Sequence, residues 1–145
     1  MAIETWLLSA DDVAVLEHVA PDVFDHAIEA GAAARFLADP RHHLAVALEE
    51  GQVVGFASGL HYFHPDKPTP ELFVNEVGVS PAHQDRGIGK AVLHELLRAA
   101  RTLGCAQAWV LTDHDNAAAN GLYRTCGGKV DEPRGHLLHE FDLRE

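Results

Sequence analysis

The stretch Gln84-Asp85-Arg86-Gly87-Ile88-Gly89 lies between an apolar run, residues 72–79, and a long amphipathic pattern, residues 88–103. This succession constrains the fold more than any other feature of the chain. A strand that enters a helix through a glycine-punctuated turn sets several backbone N–H groups at the positive end of that helix. Gly87 and Gly89 carry no Cβ, so a bulky anion can come close to the backbone. The turn is suited to a phosphate or a pyrophosphate. By itself it is a weak signal. It has neither the Gly-x-x-x-x-Gly-Lys-Ser/Thr form of a nucleotide loop nor three glycines spaced for a dinucleotide, so another pyrophosphate carrier is implied.

The surrounding pattern predicts a mixed α/β (α+β) layer. Ser9 followed by Asp11 and Asp12 marks a helix start, with Val13, Leu16, Val19 and Ala20 at helical spacing. Pro21 interrupts it. Val23, Phe24, Ala27 and Ile28 predict a second helical piece, and residues 32–37 a third that stops near Asp39-Pro40. Two apolar runs, 44–48 and 53–60, are joined by Glu49-Glu50-Gly51-Gln52 and predict a β-hairpin with Gly51 at positive φ. The proline-rich segment 65–70 is a stiff loop. After the strand at 72–79, Ile88, Val92, Leu96, Ala99 or Ala100, and Leu103 mark one helical face, and Gly104 is a natural stop. A strand at 108–112 follows, then a helix over 116–126 closed by Gly127-Gly128, and a strand-like tail at 137–143. The unit 72–112 is one strand–helix–strand crossover, expected to be parallel and right-handed.

At 145 residues and 47% apolar composition, one domain spanning 1–145 with a real core is expected. The start, Met1-Ala2-Ile3-Glu4-Thr5-Trp6, has no basic region ahead of an apolar run, so no signal peptide is expected. The apolar stretch 53–60 is too short to span a membrane. The two cysteines, Cys105 and Cys126, make no disulfide framework and fit a reducing cytoplasm. The net charge of −11 opposes nucleic acid and anionic membrane and attracts cations. It also suffices to keep a small protein soluble, so it bears on function only if carboxylates gather beside the site.

A second signal lies downstream. Asn116, Ala119, Leu122, Tyr123 and Gly127 form Asn-x-x-Ala-x-x-Leu-Tyr-x-x-x-Gly, with Asn116 and Tyr123 about two helical turns apart on one face. Together the two segments resemble the GNAT superfamily of N-acetyltransferases. The match covers the strand–turn–helix at 76–103 and the strand–helix at 109–128, and Gln84, Gly87 and Gly89 meet its Gln/Arg-x-x-Gly-x-Gly/Ala signature. The hairpin, the proline loop, Glu76 and the Asp113…Leu122-Tyr123 spacing are similar to the aminoglycoside 3-N-acetyltransferase branch, in a match that reaches back to Phe24 and Phe36-Leu37.

The resemblance implies a GNAT fold, acetyl-CoA as co-substrate and an amine of an aminoglycoside-like polycation as acceptor, with antibiotic resistance as one role for such an activity. It implies that Gln84, Asp85, Arg86, Gly87, Ile88, Gly89 and Lys90 cradle the pyrophosphate through backbone N–H groups. Val77, Gly78 and Val79 would bond the pantetheine as an added strand would, and the main chain near Val77 would polarise the thioester carbonyl. Asn116 would contact the pantetheine arm, and Tyr123 would protonate the departing thiolate. A homodimer is also implied. Asp85 departs from the family, standing where many relatives carry a basic residue.

Chemistry adds a base. A protonated amine cannot attack a thioester, so a carboxylate must take its proton, directly or through water. Asp113 is the first candidate, as amine binder and base, with Glu76 second and Asp115 as a further cation contact. Each residue has a plainer role beside the functional one. Tyr123 also fits a core aromatic, Asp113 a turn former and Glu76 a solvent-facing strand residue. The 11 histidines form no His-Glu-x-x-His and have no cysteine partner at zinc spacing, so no metal site is expected; His136 and His139 lie near the end of the chain. The competing functions are acetylation of a polyamine, peptide or small metabolite, and non-catalytic sensing of acyl-CoA.

Overall fold

The hairpin forms as β2 (His42–Glu49) and β3 (Gln52–Tyr62). The computed structural model describes residues 2–131 and 137–144. Glu49 pairs with Gln52 and closes a two-residue turn in which Glu50 (φ 52°) and Gly51 (φ 78°) are both left-handed. That is the turn whose twist suits a tight antiparallel connection. β1 (Glu4–Leu7) pairs antiparallel with β2, and β4 (Glu71–Val79) antiparallel with β3. β5 (Gln107–Val110) pairs parallel with β4, giving a five-stranded mixed sheet in the order β1-β2-β3-β4-β5.

The parallel pair requires a crossover, supplied by α2 (Ile88–Thr102), which lies over β2, β3 and β4. Its buried face is Ile88, Val92, Leu93, Leu96, Ala99 and Ala100, close to the expected stripe; Leu103 caps the helix and is exposed instead. Val46, Val53, Val54, Leu72, Val92 and Leu96 are fully buried in the core. α1 (Ala30–Ala38) and α3 (Ala117–Thr125) complete the regular elements. The carboxylate of Glu29 caps α1 by accepting from the N–H groups of Gly31 and Ala32.

Three expectations are corrected and one strand is added. β1 was not foreseen, because all four of its residues are exposed and show no alternation. The Ser9 start leads into a 3-10 helix, Ala10–Glu17, with a break at Asp12. Residues 21–28 form bends rather than a helix: Asp22 sits at φ 61° after Pro21, and Phe24 leaves the segment to stack on Phe56 of β3 at 4.0 Å. Residues 137–144 form no strand; Leu137, Leu138, Phe141 and Leu143 are 74–90% exposed, and none of the five described strands pairs with them.

The sheet holds a pair of histidines that couples folding to pH. His43 Nε2 lies 2.7 Å from His61 Nδ1, and the rings stack at 5.0 Å. Burial pushes the His43 pKa down from 6.5 to about 4, with His61 and His42 adding repulsion. The unfolded chain therefore binds a proton that the folded chain refuses. The contribution is complete above pH 6.5 and is lost as pH falls towards 4. Glu29 and Asp39, held low by hydrogen bonds, act in a lower window, below 4.5. The urea midpoint is expected to fall between pH 6.5 and 4, and His43→Gln is expected to flatten that part of the profile.

Candidate active site

A bulge in β4 creates the opening. Ser58 pairs with Glu76 and Gly59 with Val74, so Asn75 is the extra residue. β5 pairs only with Glu71 to Val74 and ends at Val110. Beyond Val74, the β4 backbone has no described strand on its outer side. Its N–H and C=O groups there form an open edge that includes Val77, Gly78 and Val79. An extended ligand can bond such an edge as an added strand does.

α2 starts beside the end of that edge. Its N-cap, Gly87, is left-handed (φ 76°), and no side chain caps the first turn. Asp85, at φ 61°, is left-handed too. A Cβ added at Gly87 would meet nothing within 4 Å, so the approach to these N–H groups is open. Around Gly89 the surface is more covered: Leu122 and Val79 lie 3.4 Å and 3.7 Å from where a Cβ would sit, ordinary contact distances. The Arg86 side chain is directed towards the hairpin: its Nη2 donates to Glu49 Oε2 at 2.6 Å. The Lys90 ammonium lies near enough to Cys126 to act on its thiol, although burial dominates and raises that thiol's pKa. Cys126 is thus unsuited to attack as a nucleophile.

The Leu122 contact brings α3 against the first turn of α2. Asn116 caps α3, its Oδ1 accepting from Ala119 N–H at 3.0 Å. The adjacent Tyr123 is half-buried against the core, and burial alone raises its phenol pKa. A phenol held protonated is a proton donor in waiting. Asp113 lies three residues beyond the last residue of β5, not at the strand end. Its carbonyl accepts from Asn116 N–H at 3.2 Å and from Asn120 Nδ2 at 2.9 Å, so the turn-forming role of this segment is real. Asp113, Asp115 and Glu76 are exposed.

One component was missed by the sequence reading. A cavity of about 580 Å³ opens under residues 13–33, with Glu17, Asp22, Phe24, Asp25, His26 and Ile28 among its lining. It lies next to the open edge. Phe24 stacks on Phe56, which pairs with Gly78, and a Cβ on Gly78 would fall 2.5 Å from the Val23 carbonyl oxygen. The signal was present in the acids flanking Val23 and Phe24, but helical spacing was the wrong frame for them. The histidines separate into pairs: His43 meets His61, and His64 lies 3.4 Å from Glu71. Among the described residues, no three potential metal ligands converge, and His136 lies outside those residues.

The arrangement thus offers an anion seat at a helix mouth, an edge for an extended chain, a half-buried phenol and an acid-lined cavity. A model of the acetyltransferase (GNAT) family matches residues 4–127. N-alpha-acetyltransferase RimI of Mycobacterium tuberculosis is 43% identical over 93 residues, covering 64% of this chain and 56% of the relative. The chain therefore spans little more than half of that protein's length. Among solved structures, the aminoglycoside acetyltransferase meta-AAC0020 from an uncultured soil metagenomic sample, in complex with sisomicin, superposes with a TM-score of 0.77 at 18% identity, covering 97% of each chain. AAC(6')-Iy, in complex with the bisubstrate analog CoA-S-monomethyl-acetylneamine, has a TM-score of 0.77 at 15% identity, covering 98% of this chain and all of the other.

Proposed function

Because the chain belongs to the GNAT acetyltransferase family, we propose that it transfers acetyl to an amine of an aminoglycoside-like polycation by direct attack, without a covalent enzyme intermediate. Acetyl-CoA is the co-substrate throughout this family. The observation that carries the reading is the open β4 edge ending at an uncapped helix mouth. The N–H groups around Gly87 receive the pyrophosphate, and the edge at Val77, Gly78 and Val79 receives the pantetheine. Asn116 borders that arm. The neutral amine nitrogen attacks the thioester carbonyl, whose oxygen gains charge beside the Val77 main chain. The C–S bond then breaks, and Tyr123 gives its proton to the thiolate. Asp113, or Glu76 in its place, takes the proton that the amine loses.

The acceptor reading rests on charge. Glu17, Asp22 and Asp25 line the cavity beside the acetyl position, and the chain as a whole carries −11. Carboxylates around a cavity favour a cationic guest. Structural neighbours named as aminoglycoside acetyltransferases support the same class. The 3-amine is the position implied by the sequence resemblance, whereas AAC(6')-Iy carries 6' in its name; product NMR distinguishes the two. The similarity to RimI favours a second reading, acetylation of a peptide α-amine.

Thiol release from acetyl-CoA, measured across aminoglycosides, polyamines and peptides, is expected to occur with aminoglycosides. Turnover with peptides alone would move the activity to the second reading, and silence with every amine would favour an acyl-CoA sensor. Tyr123→Phe is expected to lower kcat by about 100-fold with little change in coenzyme A affinity; unchanged turnover removes the phenol from the mechanism. KM for the polycation is expected to rise with ionic strength, because screening weakens the attraction. A flat response counts against the acidic cavity as its seat.

A further inference from the structure

We infer that Glu49 is a positioning residue for the cofactor, acting through Arg86 to hold the pyrophosphate turn in its binding shape. The inference rests on the acetyl-CoA reading of that turn. Arg86 stands between two left-handed residues, Asp85 at φ 61° and Gly87 at φ 76°. For Asp85 this backbone state is sparsely populated, and such a state persists only where surrounding contacts over-determine it. The contact available is Arg86 Nη2 to Glu49 Oε2, 2.6 Å across 37 residues of sequence. His83, in the short turn just before, adds its Nε2 at 3.5 Å from Glu49 Oε1.

The two ends of this latch are unequal. Glu49 closes the β2–β3 hairpin, and its side chain is 16% exposed, against 38% for Arg86. The carboxylate is the fixed post and the loop is what it holds. The Arg86 hydrogen bond, first among its influences, holds the Glu49 carboxyl below its ordinary range, so the charge stays in place. The latch has two consequences for a diphosphate. It fixes the direction of the N–H groups at the α2 mouth, and it neutralises a carboxylate that would otherwise repel the anion. It also uses the guanidinium, so the anion is held by backbone rather than by the Arg86 side chain.

Titration calorimetry with coenzyme A alone tests this without knowledge of the acceptor. Glu49→Ala and Arg86→Ala are each expected to weaken binding about tenfold, because small displacements of binding groups are costly. The double variant is expected to lose no more than the worse single one, since both act through one contact. Thermal midpoints should stay within about 4 °C of the parent, because an exposed pair adds little to stability. Glu49→Gln, nearly isosteric and uncharged, carries the same expected direction and serves if the alanine variant does not fold. Binding by the Glu49 variants as tight as the parent's overturns the proposal. Tighter binding does so too, since it would mean that Glu49 withholds Arg86 from the phosphates. If the parent protein itself takes up no coenzyme A, the cofactor reading falls and this inference with it; if only the variants match the parent, the latch alone falls.

Discussion

The separation of β4 from β5 after Val74 is the constraint on which the site depends. A strand buried in a sheet normally spends both rows of its backbone groups on neighbours. Here the Asn75 bulge shifts the register against β3, and β5 stops at Val110. No described strand pairs with that row beyond Val74, at the point where α2 begins. An open edge is ordinarily a liability, because it invites another strand. Beside a helix mouth it becomes a place for a ligand that is extended at one end and anionic at the other. Packing maintains the geometry: Leu122 fills the space over Gly89, and the Val23 carbonyl sits where a Cβ of Gly78 would be.

Much of this was legible in the sequence, and the reason is locality. The hairpin, the crossover helix and the α3 cap depend on residues within a few positions of one another, and hydrophobic period and turn chemistry record them. The bounds of α2 (Ile88–Thr102) differ from the expected helix by one residue. What was not legible depends on distant partners. β1 is exposed on every residue, so pairing with β2, not pattern, makes it a strand. Val23, Phe24, Ala27 and Ile28 have helical spacing, yet the segment after Pro21 bends and Phe24 stacks on the ring of Phe56 in β3. The cavity disappeared from view with that misreading, since its wall is this same segment.

The candidate side chains divide along the same line. Tyr123 was placed by a local motif and is found half-buried next to Leu122, which seats α3 on α2. Asp113 was placed by a strand end that the structure sets two residues earlier, at Val110, and its backbone helps build the start of α3. The two glycines differ in their surroundings: a Cβ on Gly87 would meet nothing within 4 Å, whereas one on Gly89 would touch Leu122 and Val79 at ordinary distances. A sequence motif names the small residues without recording their neighbours.

A chain with net charge −11 that binds a diphosphate poses an electrostatic problem. The fold meets it with main-chain groups. At the α2 mouth the positive contribution comes from backbone dipoles, which do not appear in a count of side chains. The nearby carboxylate of Glu49 is paired with Arg86. The cavity under residues 13–33 gathers carboxylates, with Glu17, Asp22 and Asp25 in its lining. An excess of acidic side chains is therefore compatible with an anion seat made of main-chain N–H groups, because the two contributions come from different elements of the fold.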